Sequence, residues 1–172
     1  MGVGIDIDRL ADPAFFAQGR LEAHSDHRWF ASAAEAASGR SSFEVSLDGV
    51  WKFAYAKNPA LAVDGFQDPD YDVSQWDDIP VPAHIQLQGY DLPQYVNVQY
   101  PWDGHEQIAP GRVPQDYNPV ASYVRGFTLP GPRPTASGSS CAWRGPSPPS
   151  PCGSTGPMSA TARTPSPPPS ST

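Results

Sequence analysis

An all-β sandwich is the fold class the sequence predicts. Three observations carry it: short runs in which apolar and polar residues alternate, turn-forming pairs between them, and no sustained helical period. The runs are confined to the first 130 of the 172 residues. All 18 acids, all seven tyrosines and four of the five tryptophans precede Gly131, whereas 11 of the 22 prolines follow it. The body carries 8 Lys/Arg against 18 Asp/Glu and the remainder 3 against none, which together make the net charge of −7. An acidic body argues against a nucleic-acid partner, because phosphate binding needs clustered cations.

Residues 1–42 read as an extended arm. The polar stretch Glu22-Ala23-His24-Ser25-Asp26-His27-Arg28 leads into Trp29-Phe30, and Ser32 with Glu35 three residues later predicts a capping box for one short helical turn that Gly39 ends. From Phe43 the pattern alternates. Phe43, Val45 and Leu47 share one side, Asp48-Gly49 is a turn pair, and residues 50–55 are aromatic and β-prone, so a hairpin is expected. Asn58-Pro59 breaks its second strand, and residues 68–78 read as a surface loop ending in Trp76. Ile79-Pro80-Val81-Pro82 suits a sheet edge rather than a central strand. Residues 95–100 alternate again until Pro101, residues 102–119 form a long irregular loop, and residues 121–129 are β-prone, for a total of about five strands. Residues 131–172 collapse to Pro, Ser, Gly, Thr, Ala and Arg, a composition that cannot offset its ordering entropy, and are expected to form a disordered tail.

No run of about 18 apolar residues exists and the N-terminus lacks a secretory pattern, so no membrane partner is expected and the cytoplasm is the expected compartment. Cys141 and Cys152 have no His/Cys cluster around them and form neither a zinc site nor a disulfide framework. Asp103, His105 and Glu106 bring three possible ligands into four residues, but one crowded loop with an Asp-Gly turn does not define a metal site. Trp29, Trp51 and Trp76 could stack on sugar rings, although in a small sandwich such residues more often fill the core.

Five motifs in order carry a resemblance. Ser46-Leu47-Asp48-Gly49-Val50-Trp51-Lys52-Phe53 is followed by Trp76-Asp77-Asp78-Ile79-Pro80-Val81-Pro82 and by His84-Ile85-Gln86-Leu87-Gln88-Gly89-Tyr90. Then come Pro93-Gln94-Tyr95-Val96-Asn97-Val98-Gln99-Tyr100-Pro101-Trp102 and Asn118-Pro119-Val120-Ala121-Ser122-Tyr123-Val124-Arg125. The set resembles the sugar-binding domain that opens the long bacterial β-galactosidases of glycoside hydrolase family 2. The resemblance implies a galactose-binding-domain-like jelly roll over residues 43–130, incomplete in this chain, between the arm of residues 1–42 and the tail of residues 131–172.

The family implies a retaining glycosidase that hydrolyses terminal β-D-galactose residues of β-galactosides such as lactose, using two carboxyl groups about 5–5.5 Å apart. Its catalytic glutamates belong to a later barrel domain. Asp103, Glu106 and Asp116, the acids after residue 100, stand outside that catalytic context, so this chain by itself is expected to be inactive. By the same resemblance Asn97 is the galactose contact, since a carboxamide both donates to and accepts from hydroxyls. The competing reading is that Asn97 bonds locally to backbone, as loop asparagines commonly do. No cofactor is expected in this segment, while the intact enzyme would use Mg2+ and Na+ and form a homo-oligomer. A stand-alone, non-catalytic carbohydrate-binding module is the alternative from another class. β-Glucuronidase and β-mannosidase are the alternatives within the family.

The family would continue after Leu129 with further strands, and the tail resembles nothing in it. Back-translated with permitted codons and read one nucleotide earlier, residues 158–171 can spell Val-Gly-Tyr-Ser-Glu-Asp-Ser-Phe-Thr-Pro-Ser-Glu-Phe, which resembles the family's next motif. The stretch from Cys141 can likewise spell a strand-like Val-Arg-Leu-Ala-Gly-Ala-Glu-Ser-Ala-Phe-Ala-Val-Trp-Val-Asn-Gly. The tail is therefore expected to be the product of a frameshift.

Overall fold

A computed structural model describes residues 11–15, 27–93, 100, 102–109 and 111–128. Strands dominate the regular structure of these residues. β1 (Gly49–Ala56), β2 (Asp77–Val81) and β3 (Val120–Val124) form one antiparallel sheet in the order β2-β1-β3, and the one α-helix among the described residues, α1 (Ala33–Ser38), is a single short element on the arm. The architecture is all-β.

β1 is central because it alone has an apolar series dense enough to be covered. Trp51, Phe53 and Tyr55 fall on one face, together with Ile79 of β2, opposite Trp51, and Tyr123 of β3, opposite Phe53. On that face Trp51, Phe53 and Ile79 are buried, with Leu47, Tyr55, Val81, Ile85, Tyr90 and Tyr123 packed around them. Phe53 is the centre. Its ring meets Tyr90 edge-on at 4.6 Å and Tyr123 tilted at 4.9 Å, as the quadrupoles of aromatic rings favour. The other face carries Val50, Lys52 and Ala54. Lys52 bonds the Asp78 carboxylate at 3.0 Å and the Trp76 carbonyl at 3.2 Å.

Pro80 sits in β2, which has β1 as its neighbour and Val50 as the Pro80 partner. That agrees with the edge position expected from its missing N–H. The long loops before β2 and before β3 are also as expected. In contrast, the hairpin expected between residues 43–47 and 50–55 does not form. β1 begins at Gly49 and pairs with strands 28 and 71 residues onward, counted between first residues.

Local bonds explain why the hairpin is absent. Ser41 and Ser46 hydroxyls accept from the amides of Phe43 and Asp48 at 3.1 Å each, and the Leu47 carbonyl accepts from Trp51 Nε1 at 2.7 Å and from Arg125 Nη1. Backbone groups that a hairpin ladder would need are thus taken by side chains. Phe43 and Val45 stay exposed, and of the three alternating residues only Leu47 reaches the core.

The capping signal on the arm is realised. The Ser32 hydroxyl accepts the Glu35 amide at 3.2 Å, Gly39 takes the left-handed conformation at φ 68°, and the Glu35 carboxylate receives the amides of Ala31 at 2.9 Å and Ser42 at 3.2 Å. These bonds favour the charged form and hold the Glu35 carboxyl below its ordinary range.

Candidate functional site

Asn97 lies outside the described residues, as do residues 95–99 of the expected strand, but the chain on both sides of it is in place. Before it, a 3₁₀ turn (Ile85–Gln88) ends at Gly89, whose φ of 93° lets the chain reverse, and Asp91 follows at φ 57°. Ile85 is held on the core and Tyr90 packs on Phe53. The Tyr90 hydroxyl donates to Asp77 Oδ2 at 2.7 Å, tying this turn to the start of β2.

Asp91 accepts the Tyr117 hydroxyl at 2.7 Å and also faces Tyr55, so one carboxylate joins β1, the turn and the later loop. Asp77 raises the Tyr90 phenol above its ordinary value. Burial, then the Asp91 charge, raises that of Tyr55, and burial raises that of Tyr123. A raised folded-state value gives stability that is fully present below the unfolded phenol value near 10 and is lost as pH climbs through the higher folded values. We therefore expect unfolding in alkali, with these three tyrosines ionising above the ordinary phenol range. Tyrosinate absorbance followed together with circular dichroism checks it, and ionisation of all tyrosines in one early step, with the fold intact, would contradict it.

After Asn97, residues 102–118 form a loop whose acids brace the backbone. Both Glu106 oxygens are used, receiving the amides of Gln115 at 2.8 Å and Asp116 at 2.6 Å. Asp103 accepts the Tyr100 amide at 2.8 Å, and the His105 ring stacks on Tyr117 at 3.8 Å. The loop is tied to the end of β1 by the Asn118 amide on the Lys57 carbonyl at 3.1 Å. Thus the three neighbouring side chains that suggested a ligand set each have a separate structural task. Among the described residues no three of His, Cys, Asp and Glu converge on a point that could hold a metal ion.

Of the tryptophans weighed as sugar platforms, Trp51 is a core residue, Trp76 packs against Phe66 at 5.6 Å and Tyr71 at 6.1 Å, and Trp29 is exposed on the arm. A different aromatic pair stands out in the structure. Tyr100 and Trp102 stack with centroids 5.0 Å apart and planes 2° apart. Their signal was the Tyr-Pro-Trp spacing, two aromatics on either side of a residue that restricts the backbone.

A family model described as glycosyl hydrolases family 2, sugar binding domain, matches residues 44–135. A β-galactosidase of Halalkalibacterium halodurans is 48% identical over 126 residues, 73% of this chain and 12% of that protein. One of Streptococcus thermophilus is 45% identical over 120 residues, again 12% of its length, and a β-galactosidase large subunit of Latilactobacillus sakei is 41% identical over 136 residues, 22% of its length. The chain thus spans between about an eighth and a fifth of these relatives. No helix among the described residues is long and apolar enough to cross a membrane. With a match over more than half its length, the chain belongs to glycosyl hydrolase family 2, of which it carries the sugar-binding domain.

Proposed function

We propose that this chain is the sugar-facing N-terminal part of a cytoplasmic, homo-oligomeric β-galactosidase and supplies one wall of the galactoside pocket without the acids that break the bond. The observation that carries this reading is the likeness to named β-galactosidases over 68–73% of the chain, against 12–22% of their lengths. In this reading residues 43–130 are a partial jelly roll, Asn97 contacts galactose hydroxyls, and residues 1–42 are an arm. Residues 131–172 are a frameshifted tail, and Mg2+ and Na+ bind in parts of the longer enzyme outside this segment. The carboxylates Asp77, Asp91, Asp103 and Glu106 serve to hold the two flanks of Asn97, as their backbone and phenol partners indicate.

The coding DNA and an activity assay test this together. Reading past codon 130 in the neighbouring frame should give further jelly-roll strands and then a barrel, and the frame-restored product should hydrolyse lactose. In that product Asn97→Ala should lower kcat/KM on the order of 10–100-fold, the loss expected for an unreplaced polar contact to the sugar. An unchanged kcat/KM would remove Asn97 from the site. Absence of barrel-coding sequence would favour the non-catalytic carbohydrate-binding module instead.

A further inference from the structure

The motif after Asn97 contains a feature that neither the core nor the sheet uses. Tyr100 and Trp102 form an almost parallel stack, yet Tyr100 remains 65% exposed and Trp102 half-buried. Exposed apolar rings are commonplace singly, but here two are held face to face by dedicated bonds. The Tyr100 amide donates to Asp103 Oδ2 at 2.8 Å and the Asp103 amide returns to the Tyr100 carbonyl at 3.0 Å, closing a turn around the pair. The Trp102 carbonyl accepts from His105 at 2.9 Å and from Glu106 at 3.2 Å. Glu106 then fixes the far side of the loop through Gln115 and Asp116, and Asn58 Nδ2 reaches the Asp116 carbonyl at 3.4 Å. Through these bonds the stack is anchored to the end of β1.

Such a preorganised ring surface suits a ligand that has one apolar face and polar edges. A pyranose presents a face of C–H groups to an aromatic ring and hydroxyls around its rim, and the exposed Asp103 beside the stack is an acceptor for such a hydroxyl. Two residues lie between Asn97 and Tyr100, so their Cα atoms are at most about 11 Å apart. A disaccharide is long enough to span that separation.

We propose that Tyr100 and Trp102 form a stacking platform for the second sugar of a galactose-containing disaccharide. The assignment rests on the reading of Asn97 as the galactose contact. It gives the two residues different ligands: Asn97 the galactose unit, Tyr100 the ring attached to it.

Calorimetric titration of the 172-residue chain with lactose and with galactose tests this, with near-UV circular dichroism as the measure of fixed aromatic packing. Tyr100→Ala should weaken lactose binding about tenfold and galactose binding much less, while Tyr100→Phe, which keeps the ring face, should bind like the parent. Asn97→Ala should weaken both sugars alike. Equal lactose affinity in the parent and Tyr100→Ala overturns the platform. So does a parent chain that binds no lactose or shows no near-UV signal, because the anchored stack is part of the claim. If Asn97→Ala weakens both sugars but Tyr100→Ala neither, only the platform fails; if Tyr100→Ala alone has an effect, the galactose contact at Asn97 fails and with it the assignment of the platform to the second sugar.

Discussion

Phe53→Ala is expected to abolish the cooperative unfolding transition of the sheet. Phe53 has no exposed surface and lies where the faces of all three strands and the turn at Tyr90 meet, in contact with Tyr90 and Tyr123. Truncating a buried phenylalanine removes its transfer energy and leaves a cavity, together about 3–5 kcal/mol. Small domains have about 5–15 kcal/mol in total, and a core centred on Trp51, Phe53 and Ile79 leaves little to absorb such a loss. Urea denaturation followed by near-UV circular dichroism measures it. Val50→Ala, one residue from Trp51 on the same strand but 64% exposed, should change stability by less than about 0.5 kcal/mol. Comparable effects for the two substitutions would contradict the placement of the core.

The second large effect involves Gly49 and Arg125, which come from motifs 76 positions apart in the chain. Gly49 has φ 135°, where a side chain is strained, and a Cβ there would stand 2.9 Å from Arg125 Nη1. The guanidinium donates to the Leu47 carbonyl and lies 5.9 Å above the Trp51 ring, so it cannot move away without losing both contacts. Gly49→Ala should therefore cost about 1–3 kcal/mol through backbone strain and displacement of Arg125. Arg125→Ala should cost about 1–2 kcal/mol, for the lost charge-assisted bond and ring contact. The double variant should be less destabilised than the sum of the two, because part of the Gly49→Ala cost is the clash with a group that Arg125→Ala removes. Strict additivity in denaturation experiments would show that the glycine answers to strain alone.

The residues that proved readable from sequence were those whose local chemistry leaves one option. Pro80 lacks an amide donor and so marked an edge, Ser32 and Glu35 marked a helix start, and the aromatic run of residues 51–55 marked the strand that takes the core. The alternation of Phe43, Val45 and Leu47 misled, because serine hydroxyls and the indole of Trp51 compete for the backbone groups a hairpin would need. Strand pairing was hidden for a related reason. β1 chooses partners far along the chain, and the residues that decide it, Arg125 on Leu47 and Tyr123 on Phe53, have no short-range signature. At the candidate site, the acids in Asp103-Gly104-His105-Glu106 suggested chemistry by composition alone. Their partners are backbone amides and a tyrosine ring, and these are determined by how the loop folds back on itself.

The proposed function makes a galactoside a ligand of the 172-residue polypeptide but not a substrate that it can cleave. Purified to homogeneity and incubated with a chromogenic β-galactoside, it should release no chromophore above the uncatalysed rate. Turnover that co-purifies with the chain and disappears in Asn97→Ala would contradict the claim, since the cleaving carboxyl pair would then have to lie within these residues.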